Sequence, residues 1–279
     1  MKQYISAAVC VHMGRKRENN EDNFYFNGIY LTEETREKPA KAQTVCGDPL
    51  QFYAVCDGMG GEQMGELASL ITAQTLHKYA GLLKSSNSKS KTKNIDAELN
   101  RCILEANNQI VAAQKQIGAK RIGTTLAMLV VENKTARLYN VGDSRMYLFR
   151  DGKLGQLSED DTAVANMIRM GTITHEQAKT HPRRNSLTQY VGIDPEEMII
   201  EAHKNEFKMK DKDMFMLCSD GLSDMLEESE ISRILSEASN PAEAAQRLVE
   251  GALNREGRDN IAVIVLKCHR RLWQKTPLS

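Results

Sequence analysis

Short segments of apolar residues, or of alternating apolar and polar residues, predict β-strands in the first part of the chain. These segments are residues 5–12, 23–30 and 52–56. Apolar residues then recur at helical spacing over about 65–83, and the same spacing predicts a second helix over 96–116. The polar, basic segment 84–94 between the two helices predicts an exposed loop, with a partner-docking patch as the alternative interpretation.

The second half of the chain predicts antiparallel hairpins followed by further helices and strands. The hairpins comprise residues 124–132, 136–142 and 145–154, with turns at 133–134 and 151–152. Residues 160–181 predict a helix, which Pro182 interrupts. The last elements are predicted as strands at 214–218 and 261–267 and as helices at 228–238 and 242–255. Because no linker or internal repeat divides the chain, we expect one domain over residues 1–279 in which sheets pack between layers of helices.

Composition and charge exclude several classes of protein. The chain has 37 basic and 37 acidic residues, so it lacks the excess positive charge on which nucleic-acid binding depends, and no nucleic-acid partner is expected. No apolar run reaches the roughly 18 residues that a membrane span needs, and the N-terminus lacks the apolar region of a signal peptide. The six cysteines form no CxxC pair and several lie within apolar runs, which indicates a reduced, cytoplasmic protein.

Aspartates mark the ends of the predicted strands. Three apolar strands are followed by Asp57, Asp143 and Asp220, and Asp259 directly precedes the last strand. In an antiparallel sheet the start of one strand lies beside the end of its neighbour, so these four side chains can converge on one edge. The segment 17–22, which contains Arg17, Glu21 and Asp22, also comes just before a strand.

Such a carboxylate cluster predicts a site for a hard divalent cation. Neighbouring carboxylates raise each other's pKa unless a cation neutralises them, and a donor set of oxygens alone suits Mg²⁺ or Mn²⁺. The histidines form no HExxH pattern, so a histidine-based zinc site is not expected. The alternative is ordinary turn chemistry, which is the expected role of Asp151-Gly152.

The glycine-rich run 57–61 follows one of these strands. Missing side chains would let the backbone approach a ligand closely, whereas a flexible connection from strand to helix is the alternative. The run is not a nucleotide-binding loop, because neither GxxxxGK[ST] nor GxGxxG is present.

Seven segments resemble, in order and over nearly the whole chain, the metal-dependent protein phosphatases of the type 2C (PPM) family, particularly its bacterial branch. The segments are RENNED at 17–22, DGMGG at 57–61, GTT at 123–125, VGDSRMYL at 141–148, HPRRN at 181–185, CSDGL at 218–222 and RDNIAV at 258–263. The resemblance implies an α+β fold, an αββα sandwich of two antiparallel sheets flanked by helix pairs, with the active site at one edge. It also implies that residues 160–185 form a flap beside that site.

The resemblance further implies a role for each candidate residue. Asp57 matches the aspartate that bridges two metals, and Gly58 matches the glycine that offers its carbonyl. Asp220 and Asp259 match the remaining direct ligands, while Glu21 and Asp22 match carboxylates that hold or orient water on the metals. Arg17 matches the arginine that grips the substrate phosphate, a task that suits its forked donors. Asp143, together with Asp220, matches a third metal site. The catalytic set is therefore predicted as Arg17, Asp22, Asp57 and Asp220.

The implied activity is hydrolysis of phosphoserine and phosphothreonine in proteins, by a water activated between two divalent metals, Mn²⁺ or Mg²⁺, with a third metal as an addition. The implied partners are phosphorylated proteins, namely the substrates of a serine/threonine kinase and the kinase itself, and the chain is expected to be a monomer. Two alternatives are a specialised phosphatase of a single regulatory protein and a pseudophosphatase that only binds phosphoproteins.

Two positions depart from the family pattern. Met59 stands where the animal and plant branch has a histidine that is thought to protonate the leaving group, which leaves the general acid open; water on a third metal is one candidate. The stretch 31–51 is longer than usual, and we expect it to be an exposed insertion.

Overall fold

The computed structural model describes residues 3–60, 64–86, 94–119 and 121–270. Over these residues the chain forms thirteen strands and seven helices. The strands are β1 Gln3–His12, β2 Asn23–Phe26, β3 Ala40–Cys46, β4 Leu50–Cys56, β5 Gly58–Gly60, β6 Ile122–Thr124, β7 Leu126–Glu132, β8 Thr135–Val141, β9 Arg145–Arg150, β10 Lys153–Gln156, β11 His203–Lys208, β12 Met214–Cys218 and β13 Ile261–Arg270. The helices are α1 Gly65–Ser86, α2 Ile95–Ile117, α3 Ala163–Arg169, α4 His175–Lys179, α5 Asp220–Ser223, α6 Glu228–Glu237 and α7 Pro241–Asn254.

Two antiparallel sheets form the centre of the molecule. A six-stranded sheet has the order β10-β9-β12-β13-β1-β3, and a five-stranded sheet has the order β11-β8-β7-β4-β2. A further pair, β5-β6, lies next to the site described below. Helices α1 and α2 pack on the five-stranded sheet, while α6 and α7 pack on the six-stranded sheet. The predicted αββα sandwich is therefore confirmed.

The residue pattern of the strands explains why both faces of each sheet are covered. In β1, Ile5, Val9 and other odd-numbered residues face the second sheet, whereas Ala8 and Cys10 face the helices. β4 divides in the same way, with Tyr53 and Val55 between the sheets and Phe52 against the helices. Successive side chains of a strand point to opposite faces, so a strand that is buried on both faces is apolar throughout.

Capping residues set the ends of the long helices. The Asn94 side chain accepts a hydrogen bond from the Ala97 N–H at the start of α2, and Gly118 ends this helix at φ +70°, in the left-handed region. Helix α7 begins with the cap Asn240, followed by Pro241 in its first turn. These signals account for the agreement between predicted and observed helix boundaries.

The predicted continuous helix over 160–181 is wrong. The structure has two short helices instead, α3 and α4, because the chain turns between them. Gly171 adopts φ +70° in this turn, and Thr174 then caps α4 together with Gln177. Apolar residues recur at helical spacing on both sides of Gly171, so their pattern alone does not reveal the turn between the two helices.

Part of the stretch 31–51 forms a strand that the sequence pattern did not predict. This strand, β3, pairs with β1 and lies at the edge of the six-stranded sheet. Its exposed and half-buried residues alternate, and its sequence AKAQTVC carries few large apolar side chains. β11 was missed for a similar reason, because it is a largely exposed edge strand with the polar sequence HKNEFK.

Three other predictions concern local features. The strand predicted over 23–30 ends at Phe26, because Asn27 and Gly28 turn the chain with positive φ values of 50° and 119°. The basic loop 84–94 begins within α1, and its residues 87–93 lie outside the described residues. All six cysteines are free.

No helix among the described residues is both long enough and apolar enough to cross a membrane.

Candidate active site

The sheet topology brings the strand-end aspartates to one edge of the sandwich. β4 and β8 both pair antiparallel with β7, so Asp57 and Asp143, which follow them, lie at the same end of the five-stranded sheet. In the other sheet β12 pairs antiparallel with β13, which places Asp220, just after β12, beside Asp259, just before β13. Asp57 lies close enough to the other three for their charges to affect its pKa.

The N-terminal segment joins this edge through side-chain hydrogen bonds. Asp22 precedes β2, whose first residue lies opposite the last residue of β4. The Ser219 hydroxyl donates to Asp22 Oδ2 at 2.6 Å, and the Glu21 N–H donates to Asn260 Oδ1 at 2.7 Å. These bonds hold β2 of one sheet against the ends of β12 and β13 of the other. Ser219 and Asn260 were not predicted as site residues, although each lies next to a predicted aspartate.

Two glycines allow the chain to cross this edge closely. A Cβ at Gly58 would lie 2.3 Å from the Gly65 carbonyl oxygen and 2.5 Å from that of Glu21, and a Cβ at Gly65 would lie 2.7 Å from the Gly58 carbonyl carbon. The Gly58 N–H also donates to the Glu21 carbonyl at 3.2 Å. Only glycine therefore fits at both positions. Gly61, the last residue of the glycine-rich run, lies outside the described residues.

The backbone of Asp57 is held by two consecutive threonines. The Thr125 N–H and the Thr124 hydroxyl both donate to the Asp57 carbonyl, at 2.8 and 2.9 Å, and the Asp57 N–H donates to Thr125 Oγ1 at 3.0 Å. Thr125 Oγ1 also lies 2.6 Å from the Ser144 hydroxyl, next to Asp143. A single buried residue thus connects the two strand ends that carry Asp57 and Asp143. From the sequence, Thr125 was identified only as part of the GTT segment at 123–125 and not as a site residue.

Four carboxyl groups of this edge, those of Asp22, Asp57, Asp143 and Asp220, have raised pKa values. Burial is the main cause for Asp22, Asp57 and Asp143, and the negative charges of neighbouring aspartates add to it. The pKa of Asp220 is raised to about 6, again by burial first and then by Asp259. Four carboxyl groups that disfavour each other's ionisation are a strong local source of negative potential.

An oxygen-binding divalent cation fits this arrangement. Asp22 is buried, and its Oδ1 has no hydrogen-bond partner among the described residues, so a polar ligand is needed there. The donor set consists of oxygens alone, which suits Mg²⁺ or Mn²⁺. Within the described residues no three His, Cys, Asp or Glu side chains stand in the geometry of an assembled metal site.

Arg17 stands at the mouth of the site. Its side chain is 46% exposed, and its Nη2 lies 2.7 Å from Asp259 Oδ2. The guanidinium therefore reaches the carboxylate cluster from solvent, and among the described residues Asp259 is its ion-pair partner, which leaves further N–H groups to meet an anion.

A cavity of about 810 Å³ connects the aspartates with the flap segment (residues 160–185). Asp143, Asp220 and Asp259 are among the residues that line it. The flap side carries both apolar and basic groups, including Val164, Ile168, Ala178, Arg169, Lys179 and Arg184. The cavity has room for part of a peptide chain beside the carboxylates, and the basic groups of the flap segment can attract its phosphate.

Comparison with known proteins places the chain among phosphatases. Residues 41–255 match the family model described as protein phosphatase 2C. A serine/threonine phosphatase stp of Listeria welshimeri is 31% identical over 263 residues, which cover 94% of this chain and 94% of that protein. The crystal structure of the Mycobacterium tuberculosis serine/threonine phosphatase PstP/Ppp aligns with a TM-score of 0.78 at 30% identity, over 96% of this chain and 100% of that one. The catalytic domain of PstP in complex with two manganese ions aligns with a TM-score of 0.75 at 29% identity, with the same coverage.

Proposed function

The chain belongs to the protein phosphatase 2C family, and we propose that the carboxylate edge of its sandwich is the centre at which it hydrolyses phosphoserine and phosphothreonine. The chain is a metal-dependent protein serine/threonine phosphatase with Mn²⁺ or Mg²⁺ as its cofactor. The observation that carries the assignment of the site is the convergence of Asp57, Asp143 and Asp220, whose pKa values are raised, with Asp259 on one edge.

We assign the cation-binding role to Asp57, Asp220 and Asp259, with the Gly58 carbonyl. Phosphate monoesters are among the slowest substrates to hydrolyse unaided, and two divalent cations held by these residues would supply an activated water and neutralise charge on the phosphate oxygens. Glu21 and Asp22 hold and orient water at the same edge, and Asp22 Oδ1, which has no hydrogen-bond partner in the described part of the chain, supports this role.

Arg17 binds the phosphate in this assignment. It reaches the cluster from solvent, and its forked N–H groups match the oxygens of a phosphate. Met59, in β5, carries no proton to give to the leaving serine or threonine oxygen. We assign Asp143, together with Asp220, whose charge acts on it, to a third cation site.

Phosphorylated proteins are the substrates. We further propose that they include the targets of a serine/threonine kinase and the kinase itself, and that the chain acts in the cytoplasm as a monomer. Six free cysteines, five of them buried, support a reducing compartment. A single domain over residues 1–279, with residues 160–185 as its flap, agrees with the continuous sandwich.

Removal of divalent cations tests the proposed chemistry. Purified protein with Mn²⁺ or Mg²⁺ should dephosphorylate a phosphothreonine peptide, and EDTA should stop the reaction, because the carboxylates alone cannot neutralise the phosphate. Activity should return when Mn²⁺ is added in excess of the chelator. The Asp57→Asn variant is the matched control and should stay inactive in Mn²⁺. Undiminished turnover after exhaustive chelation would rule out the metal-dependent mechanism.

A further inference from the structure

Asp161 is a buried carboxylate without an assigned role, and it holds the residue that precedes Asp143. Its Oδ2 accepts a hydrogen bond from the Gly142 N–H at 2.9 Å, and the Asp161 N–H donates to the Gly142 carbonyl at 3.0 Å. Gly142 adopts φ +94°, a conformation that favours glycine. The two bonds engage both polar groups of Gly142, so they set the direction in which the chain leaves β8 toward Asp143.

Three further contacts hold Asp161 in place. His203 Nε2 lies 2.8 Å from Asp161 Oδ1, and Gln189 Nε2 donates to Oδ2 at 3.2 Å. The Thr188 N–H donates to the Asp161 carbonyl at 2.7 Å. His203 lies in β11, and Thr188 and Gln189 lie in the segment that follows the flap. Both carboxylate oxygens of Asp161 are therefore bound by residues outside the turn that contains Gly142.

The preceding residue, Asp160, holds the other end of the same turn. Its Oδ2 accepts hydrogen bonds from Arg145 Nη2 at 2.7 Å and Arg145 Nε at 3.0 Å. Consecutive carboxylates at the start of the flap segment therefore grip Gly142 and Arg145, the two ends of the Asp143 turn (residues 142–145). Asp160 lines the cavity, whereas Asp161 is buried behind the turn.

We propose that Asp161 is a positioning residue for Asp143: through the Gly142 backbone it sets the direction of the Asp143 carboxylate and so the affinity of the cation site to which Asp143 belongs. The inference rests on the role proposed above for Asp143. Asp161 touches neither substrate nor cation in this arrangement. Loss of a group that orients a metal ligand without binding the metal typically weakens metal affinity by about 10- to 100-fold.

Isothermal titration calorimetry, in which Mn²⁺ is added to the metal-free protein, tests the inference. Asp143→Ala should abolish one binding step, and Asp161→Ala should weaken that same step by roughly 10- to 100-fold while the other steps stay unchanged. Asp161→Asn retains an oxygen for the Gly142 N–H, so it should restore most of the affinity. Where Asp161→Ala does not fold, Asp161→Ser replaces it with the same expected result.

Asp213→Ala is the matched control for a merely structural loss. Asp213 is also a buried carboxylate, and it pairs with Arg150 at 2.7 Å, at the opposite end of β9 and β12. Its removal should lower stability and leave Mn²⁺ binding unchanged. Hydrogen exchange of the metal-free protein gives a second readout, because the Gly142 amide should exchange faster in Asp161→Ala and at the normal rate in Asp213→Ala.

The double variant Asp143→Ala/Asp161→Ala shows whether Asp161 acts through Asp143. If it does, the second substitution changes neither Mn²⁺ binding nor kcat beyond the effect of Asp143→Ala. Additive losses in the double variant, or normal Mn²⁺ binding in Asp161→Ala, would overturn the inference and leave the role of Asp143 intact. Normal Mn²⁺ binding in Asp143→Ala would overturn the role of Asp143 and the inference together.

Discussion

Individual buried side chains connect the two halves of the site that the packed sheets bring together. Ser219 is fully buried; its hydroxyl donates to Asp22 and accepts from the Ala262 N–H at 2.9 Å. Asn260 accepts from the Glu21 N–H and donates to the carbonyls of Met13 and Asn19. Buried polar groups with several partners fix one geometry, because any other arrangement leaves a donor or acceptor unpaired.

Arg17 is the residue whose role is tested most directly by substitution. Arg17→Ala removes one charge-assisted contact to the phosphate, so transition-state stabilisation should fall by about 1.5–3 kcal/mol. This loss should appear as a lower kcat/KM, mainly through a higher KM. Mn²⁺ affinity should not fall, because the substitution frees Asp259 from its ion pair. Steady-state kinetics on a phosphothreonine peptide and Mn²⁺ titration measure the two effects.

The neighbouring exposed Lys16 provides the control for Arg17. Lys16→Ala removes the same charge from the same segment and should leave KM nearly unchanged, because exposed charges interact weakly through solvent. Wild-type kinetics in Arg17→Ala would show that this arginine is only a surface charge.

At the scale of elements, the flap segment is a short helical hairpin with a closed base. The Ala163 N–H donates to the Ser186 carbonyl at 2.8 Å, and Thr162 bridges to Leu187. Asp160 and Asp161, just before this base, are bound to the Asp143 turn. The hairpin beyond the base can therefore be exchanged without cutting the contacts that hold the carboxylate edge.

Replacement of residues 164–185 by a short Gly/Ser linker should alter substrate preference and spare the chemistry. We expect nearly unchanged hydrolysis of p-nitrophenyl phosphate, because this small substrate needs only the carboxylate edge and Arg17. Preference among phosphopeptides should change, because the replaced segment contributes Arg169, Lys179 and Arg184 to the cavity wall. Rates on a peptide panel, compared with the small substrate, measure the difference. Equal losses on every substrate would place the flap segment in the catalytic machinery instead.

At the scale of the whole molecule, charge is distributed unevenly although the net charge is zero. Ion pairs such as Arg150–Asp213 neutralise carboxylates elsewhere, whereas Asp22, Asp57, Asp143 and Asp220 lie together at one edge with raised pKa values. Such an edge weakens the folded state when its groups are ionised, and binding of cations offsets that cost.

The stability of the metal-free protein should consequently fall as the pH rises. An unfolded aspartate has a pKa near 3.9, and the folded Asp220 has one of about 6. Between these values the folded chain binds more protons than the unfolded chain, so the free energy of unfolding decreases with increasing pH. Melting curves in EDTA should show Tm falling across this window.

Mn²⁺ should reverse that dependence, because the cation binds the ionised carboxylates. The increase in Tm on adding Mn²⁺ should therefore grow as the pH rises from about 4 to above 6. Asp220→Asn, which cannot ionise, should flatten the curve in EDTA. A Tm in EDTA that rises with pH through this window would contradict the electrostatic account of the site.

The sequence by itself was sufficient to predict most helices and strands and the candidate aspartates, because these depend on local information, whereas the αββα sandwich was implied by the resemblance of seven segments to a known family. Side-chain periodicity follows from the geometry of helix and strand, and an aspartate at the end of an apolar strand is visible without knowledge of its neighbours. The failures had local causes as well. The edge strands β3 and β11 were not predicted because their residues are mostly small or polar. The helix predicted over 160–181 is divided at Gly171, although apolar residues continue at helical spacing beyond it.

Only the tertiary structure decided which residues support the aspartates. Asp22 and Ser219 are 197 residues apart in the chain, Glu21 and Asn260 are 239 apart, and Asp161 reaches Gly142 across a hairpin. Serine, asparagine and aspartate are common in turns, so their local pattern gives no sign of a distant partner. Hydrogen bonds depend on distance and direction in space, and the packing of the two sheets against each other sets both for these pairs.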